Sequence, residues 1–143
     1  MKKWIIIVFC FLLVACDNNA ALTAETPDKA LQLLESQKDY PKIIKLLNSI
    51  EINEEQVIYV FEGEINNQSE WFVANIEKVG ESKWLVKESI NVGLPNSEAE
   101  KYSAGTNTFT AGISNVPLKK LDDRKVVTIP GHEYFVWIEL NKD

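Results

Sequence analysis

From residue 57 onward, apolar residues alternate with other residues, and this period of two constrains the fold most strongly. Three apolar segments follow one another at 57–65, 71–79 and 84–92. The short polar sequences Asn66-Asn67-Gln68-Ser69-Glu70 and Gly80-Glu81-Ser82 separate them. Because side chains alternate between the two faces of a β-strand, the pattern predicts three strands joined by short turns. We therefore expect an antiparallel meander.

Shorter strands are predicted beyond this meander, after a polar connection from Leu94 to Gly105. They cover 108–114, 125–129 and 134–140. Pro130-Gly131 separates the last two and suits the centre of a type II turn, which favours Pro and then Gly at its central positions.

The apolar spacing before the first strand is helical. Thr26 suits an N-cap, Pro27 the first helical position and Asp28 the positive end of the helix dipole, which predicts a helix from here to about Lys38. After Tyr40-Pro41, a second short helix is predicted from apolar residues spaced i, i+3, i+4 and i+7, namely Ile43, Leu46, Leu47 and Ile50. The sequence thus predicts an α+β fold, with two N-terminal helices packed on an antiparallel, meander-rich β-sheet.

The first 16 residues have the layout of an export signal. Lys2 and Lys3 precede eleven apolar residues, 4–14. This run is shorter than the about 20 residues that span a bilayer. It ends in Leu13-Val14-Ala15-Cys16, which resembles the lipobox of bacterial lipoprotein precursors. The resemblance implies cleavage before Cys16, a diacylglyceryl group on its thiol and an acyl chain such as palmitate on its new amino group.

Two other interpretations of this segment stay open. One is an ordinary secretory signal cut near Ala15, with Cys16 as a plain thiol. The other is an uncleaved membrane anchor, which the short apolar run disfavours. With the lipobox, the expected organisation is a signal peptide at 1–15, a lipidated N-terminus and tether at 16–25, and one α+β domain at 26–143.

Processing at Cys16 changes both the thiol content and the charge of the mature chain. Cys10 leaves with the leader and Cys16 is blocked, so neither of the two cysteines remains for a disulfide or a reactive thiol. Loss of Lys2 and Lys3 changes the formal net charge from −6 to −8. This acidity argues against nucleic acid as a partner. The expected partners are the membrane, through the lipid anchor, and another envelope protein on the extracytoplasmic face.

Motifs for conventional catalysis are missing from the sequence. The single histidine, His132, follows Pro130-Gly131 and is interpreted as a solvated turn residue rather than a zinc ligand or triad base. The sequence contains neither a Gly-x-Ser-x-Gly elbow nor a glycine-rich phosphate loop. Glu62 and Glu64 share a strand face with bases about 6.5–7 Å apart, but they are interpreted as a solvated strand end. No metal, no cofactor and no catalytic residue is predicted.

Aromatic residues of the last predicted strand are the candidate binding residues. Phe135 and Trp137 share one face with Glu139, and the residues between them face the other way. If that other face packs into the core, Phe135 and Trp137 form an exposed ligand platform. Packing of these rings in the core is the competing interpretation.

The function expected from these features is that of a membrane-anchored lipoprotein with a non-catalytic extracytoplasmic binding domain. The alternatives are a carboxylate-dependent hydrolase or small-ligand-processing enzyme of the envelope, and a mechanical spacer.

Overall fold

The computed structural model describes residues 22–116 and 124–141, and within them the chain is mostly β. A five-stranded and a four-stranded antiparallel sheet are present, with strand orders β1-β5-β4-β3-β2 and β6-β7-β9-β8. The strands are β1 Thr23–Ala24, β2 Lys42–Asn53, β3 Gln56–Ile65, β4 Gln68–Gly80, β5 Lys83–Gly93, β6 Ser103–Gly105, β7 Phe109–Ser114, β8 Arg124–Thr128 and β9 Phe135–Leu140. Within these two ranges, helical structure is limited to α1, Pro27–Gln32, and the 3-10 segments Leu33–Ser36 and Ala99–Lys101.

The prediction of an α+β fold with two N-terminal helices is therefore wrong. The predicted second helix is the long edge strand β2, which pairs with β3. Its register shifts three times, between Ile43 and Lys45, between Leu46 and Asn48, and between Glu51 and Asn53. Each bulge adds a residue and reverses the alternation of faces. Apolar residues therefore recur every three or four positions, which imitates a helical period.

The first predicted helix is present but shorter than expected. Thr26 is its N-cap and accepts a hydrogen bond from the backbone N–H of Lys29 at 3.3 Å, as the sequence predicted. The α-helix ends at Gln32 and a 3-10 segment continues to Ser36. Glu35 in this segment accepts a hydrogen bond from the backbone N–H of Ile43, which fixes the segment against the start of β2.

The predicted meander is confirmed as β3, β4 and β5. Asn66 and Asn67 form the two-residue turn between β3 and β4, and both have positive φ, at 54° and 63°. This is the conformation of the type I′ turn that matches the twist of a hairpin. The predicted later strands correspond to β7, β8 and β9. Gly131, with φ of 80°, and a hydrogen bond from His132 N–H to Ile129 O fit the expected type II turn.

The two sheets pack face to face, and α1 covers the other side of the five-stranded sheet. The core between the sheets includes Ile58, Val60 and Val73 of the first sheet and Phe109 and Ile138 of the second. A second core lies under the helix and joins α1 and its 3-10 extension to β3 and β4; its buried members are Ala30, Leu31, Leu34, Val57, Tyr59, Phe61, Phe72, Ala74 and Ile76. The central strands β3 and β4 are thus covered on both faces.

The fold begins before the predicted boundary at residue 26. Thr23 and Ala24 form β1 and pair with Leu85 and Trp84 of β5, so part of the predicted tether belongs to the sheet. The predicted signal peptide, Cys16 and residues 17–21 lie outside the described residues. Among the described helices, none has both the length and the apolar character needed to cross a membrane.

Candidate functional site

The outer face of the second sheet, defined here by Phe135, Trp137 and Glu139 of β9 and their neighbours on β7 and β8, carries both predicted binding residues. Val136 and Ile138 are fully buried between the sheets. Because alternate residues of a strand face opposite ways, Phe135 and Trp137 lie on the outer side, where both are half-buried. The neighbours across the strands are Thr110, Gly112, Ser114, Arg124, Val126 and Thr128.

Trp137 is held in place from both sides of its ring. A Cβ atom at Gly112, its partner on β7, would lie 2.7 Å from Cζ2 of Trp137, so the indole rests on glycine backbone. On its other side, the guanidinium of Arg124 lies 4.4 Å from the ring centroid. Arg124 Nε also donates to Glu139 Oε2 at 3.0 Å. The broad face of the indole is therefore already covered by a cation–π contact.

This arrangement changes what the platform offers a ligand. A free indole face would stack on a sugar ring, but here the contact surface consists of the guanidinium of Arg124, the edge of Trp137 and the ring of Phe135. The sequence did not indicate Arg124 or Gly112 as site residues. Their part depends on the strand register between β7, β9 and β8, which spacing along one strand cannot provide.

A cleft of about 360 Å³ lies where β5 ends. We call it the Tyr102 cleft, and its walls include Glu70, Asn91, Gly93, Leu94, Glu98 and Tyr102. Leu94 and Tyr102 are large and about half exposed, at 48% and 52%. The sequence predicted only a polar connection from Leu94 to Gly105 here, so this cleft was missed.

The carboxylates considered for catalysis do not line the Tyr102 cleft. Glu62 is half-buried and its Oε1 accepts a hydrogen bond from Ser69 Oγ at 2.5 Å, while Glu64 is exposed near the end of β3. Across the strand pair, they face Lys45 and Lys42 of β2. Glu64 lines a cleft together with Lys38, Tyr40 and Lys42, but Glu62 is not among its described lining residues, so the two carboxylates do not converge on one substrate cleft.

His132 is exposed in its turn, with its ring 5.1 Å from that of the buried Trp71 in an edge-on arrangement. Over residues 22–116 and 124–141, no group of three or more His, Cys, Asp or Glu side chains could hold a metal ion.

The lipidation site predicted at Cys16 lies outside the described residues. In comparisons with family models, curated proteins and solved structures, nothing matches this chain.

Proposed function

We propose that the protein is a lipoprotein, anchored through Cys16 at the extracytoplasmic face of the cell membrane, whose folded part is a non-catalytic binding module. The leader and the lipobox-like sequence Leu13-Val14-Ala15-Cys16 support the anchor. The partner we propose is another envelope protein. The outer face of the second sheet is the proposed contact surface.

One observation carries this choice of surface: Phe135 and Trp137 are half-buried on the face of the second sheet that points away from the core between the sheets. Aromatic and arginine side chains dominate the binding energy of protein interfaces. The face combines both, and its Arg124 is held in a fixed position by Trp137 and Glu139. A pre-positioned side chain loses less conformational entropy on binding.

The start of β1 limits how far the binding module can lie from a lipidated Cys16. Leu22, the first described residue, lies six positions after Cys16 in the chain. A fully extended chain spans at most about 3.6 Å per residue, so this link reaches about 20 Å. A partner of the anchored protein must therefore present its own contact surface near the membrane.

Photocrosslinking in cells tests the proposed surface. A benzoylphenylalanine is placed at Phe135 or at its cross-strand neighbour Thr128, and at Gln32 as a control. Gln32 is exposed on α1, on the opposite side of the first sheet from the second sheet. We expect positions 135 and 128 to give an adduct with the same envelope protein and position 32 to give none.

Two variants test whether the crosslink depends on the residues of the proposed surface. Arg124→Ala and Trp137→Ala, each combined with the crosslinker at position 128, should weaken the adduct, because they remove the fixed guanidinium or its support. Adducts of equal yield from position 32, or none from 128 and 135, would contradict the proposed surface.

A further inference from the structure

The Tyr102 cleft contains a carboxylate with a fixed orientation. Asn91 Oδ1 accepts a hydrogen bond from the backbone N–H of Gly93 at 2.7 Å, and Asn91 Nδ2 donates to Glu70 Oε2. Asn91 thus uses both ends of its amide to connect the end of β5 with Glu70 at the start of β4. The second oxygen of Glu70, Oε1, accepts no hydrogen bond from the residues that the structure describes.

Among the described residues that line this cleft, Glu70 is the carboxylate without a counter-ion. Glu98, the other carboxylate in the cleft wall, pairs with Lys101 at 2.5 Å. Within the two described ranges, no ion pair includes Glu70. Glu70 is also half-buried. Partial removal of a carboxylate from water without a cationic partner is unfavourable in free energy. A bound cation would offset this unfavourable term.

Apolar surface lies next to this carboxylate. The ring of Tyr102 approaches Gly93, where its Cδ1 is 3.7 Å from the position that a Cβ would take, and Leu94 is half exposed on the same cleft. Gly93 has a φ of 90°, a conformation that favours glycine, and this bends the chain at the end of β5. The face of a tyrosine ring attracts cations, and no lysine or arginine is among the described residues that line the cleft.

We infer that the Tyr102 cleft binds an ammonium or guanidinium group on an apolar stem, as found in a lysine or arginine side chain. Glu70 is the counter-ion, and Tyr102 and Leu94 contact the stem. This inference is independent of the proposed partner and of the outer face of the second sheet. It assigns the chain a second binding site of different chemistry.

Titration of the isotope-labelled full chain, purified in detergent, tests the assignment. The probe is N-acetyl-lysine amide, and N-acetyl-norleucine amide is the neutral comparison of similar shape. We expect the lysine probe to shift the backbone amide signals of Gly93 and Tyr102 and the norleucine probe to bind more weakly. Glu70→Gln and Tyr102→Ala should each weaken binding of the lysine probe by about three- to tenfold.

Control variants separate the site from the general acidity of the molecule. Glu64→Gln removes the same charge at the exposed end of β3 and should leave the affinity unchanged, and Tyr102→Phe should retain most of it. Glu70→Gln is conservative, and an unchanged spectrum outside the cleft verifies its fold. If 1,5-diaminopentane binds as tightly as the lysine probe, a free amine is sufficient for binding to the cleft. If the lysine probe binds more tightly, the ligand is a side chain of a peptide.

Three results would overturn the inference. They are equal affinity for the norleucine probe, unchanged affinity in Glu70→Gln, and signal shifts that occur outside the cleft but not at Gly93 or Tyr102.

Discussion

At the scale of single residues, Tyr59 connects the helical layer to the first sheet. Its side chain lies buried on β3, and its hydroxyl donates to Asp28 Oδ1 at 2.5 Å. Burial, then the hydrogen bond to Asp28, and the charges of Asp28 and Glu51 raise the pKa of Tyr59 well above its ordinary value. The folded protein therefore keeps this phenol protonated in alkaline solutions that ionise tyrosine in an unfolded chain.

Tyr59→Phe is expected to lower the free energy of unfolding at neutral pH by about 0.5–1.5 kcal/mol, because it removes the hydrogen bond to Asp28. Above a pH of about 10, where tyrosine in an unfolded chain loses its proton, the folded protein still holds the proton of Tyr59. Its stability therefore falls as the pH rises further, until Tyr59 itself ionises. Tyr59→Phe should lack the part of this alkaline loss of stability that Tyr59 causes.

Urea unfolding at neutral and alkaline pH measures both effects. Tyr40→Phe is the matched control, because Tyr40 is 37% exposed. If Tyr40→Phe and Tyr59→Phe have the same pH dependence, the folded protein does not raise the pKa of Tyr59.

Gly112 gives a second prediction at the residue scale. A Cβ at this position would lie 2.7 Å from Trp137 Cζ2, so Gly112→Ala must displace the indole from the sheet and from Arg124. We expect a loss of about 1–3 kcal/mol in stability and a change in tryptophan fluorescence. Gly80→Ala is the control, since the nearest atom there, Lys83 Cβ, is 3.6 Å away. Equal unfolding midpoints for the two variants would contradict the close contact.

The outer positions of Phe135 and Trp137 followed from alternation along one strand. Arg124 is thirteen residues before Trp137 in the sequence and meets it only because β8 pairs with β9. The condition for a platform, that the opposite face packs inward, could be stated from the sequence. The cation that covers Trp137 could not, because strand order and register are properties of the whole sheet.

At the scale of elements, β2 shows why a periodic pattern can predict the wrong structure. Leu47, Ile50 and Ile52 pack against the core between the sheets, and Ile43 packs against the core under the helix. The bulges move these side chains from one face of the first sheet to the other. The spacing of the apolar residues along β2 therefore fits neither the period of a regular strand nor one face of a helix. Ile44 and Leu46 stay about half exposed on this edge strand. Lys42 and Lys45 beside them hinder edge-to-edge pairing with another chain.

The β3–β4 turn was easier to predict, and it supplies a test. Asn67 has a φ of 63°, where glycine is unstrained, so Asn67→Gly should raise the free energy of unfolding by a few tenths to about 1 kcal/mol. The matched control is Glu55→Gly in the two-residue turn between β2 and β3, where no positive φ occurs. There glycine only adds freedom to the unfolded chain and should destabilise by about 0.5–1 kcal/mol. Chemical denaturation of both variants measures the difference, and a change of the same sign in both would contradict the turn geometry.

At the scale of the whole molecule, two layers cover the first sheet, one on each face. This explains why every residue of 57–61 and 71–76 is buried, although an antiparallel sheet commonly leaves one face in water. The sequence shows these almost continuous apolar runs, which the prediction of helices on one face of the sheet does not explain. Two side-chain hydrogen bonds of 2.7 Å join the sheets at separate places. Asn48 Nδ2 of β2 donates to Thr128 O at the end of β8, and Thr106 Oγ1, between β6 and β7, donates to Glu88 Oε2 of β5.

The proposed anchor gives the prediction for the molecule as a whole. Each methylene of an acyl chain contributes about 0.8 kcal/mol to membrane binding, so a lipidated Cys16 with two or more chains holds the domain firmly at the bilayer. Cells labelled with a palmitate analogue should incorporate it into the parent protein, and the N-terminal peptide should carry the mass of the lipid. Cys16→Ala should lose both signals, because no other thiol follows the leader.

Cys10→Ala is the matched control, because Cys10 lies inside the apolar leader that lipobox processing removes. This variant should be labelled like the parent and should partition into the detergent phase like the parent. Label that persists in Cys16→Ala, or that disappears in Cys10→Ala, would contradict lipidation at Cys16. In the first case, the chain would be attached to lipid elsewhere, and the reach of about 20 Å from Cys16 to Leu22 would no longer confine its partner to the membrane surface.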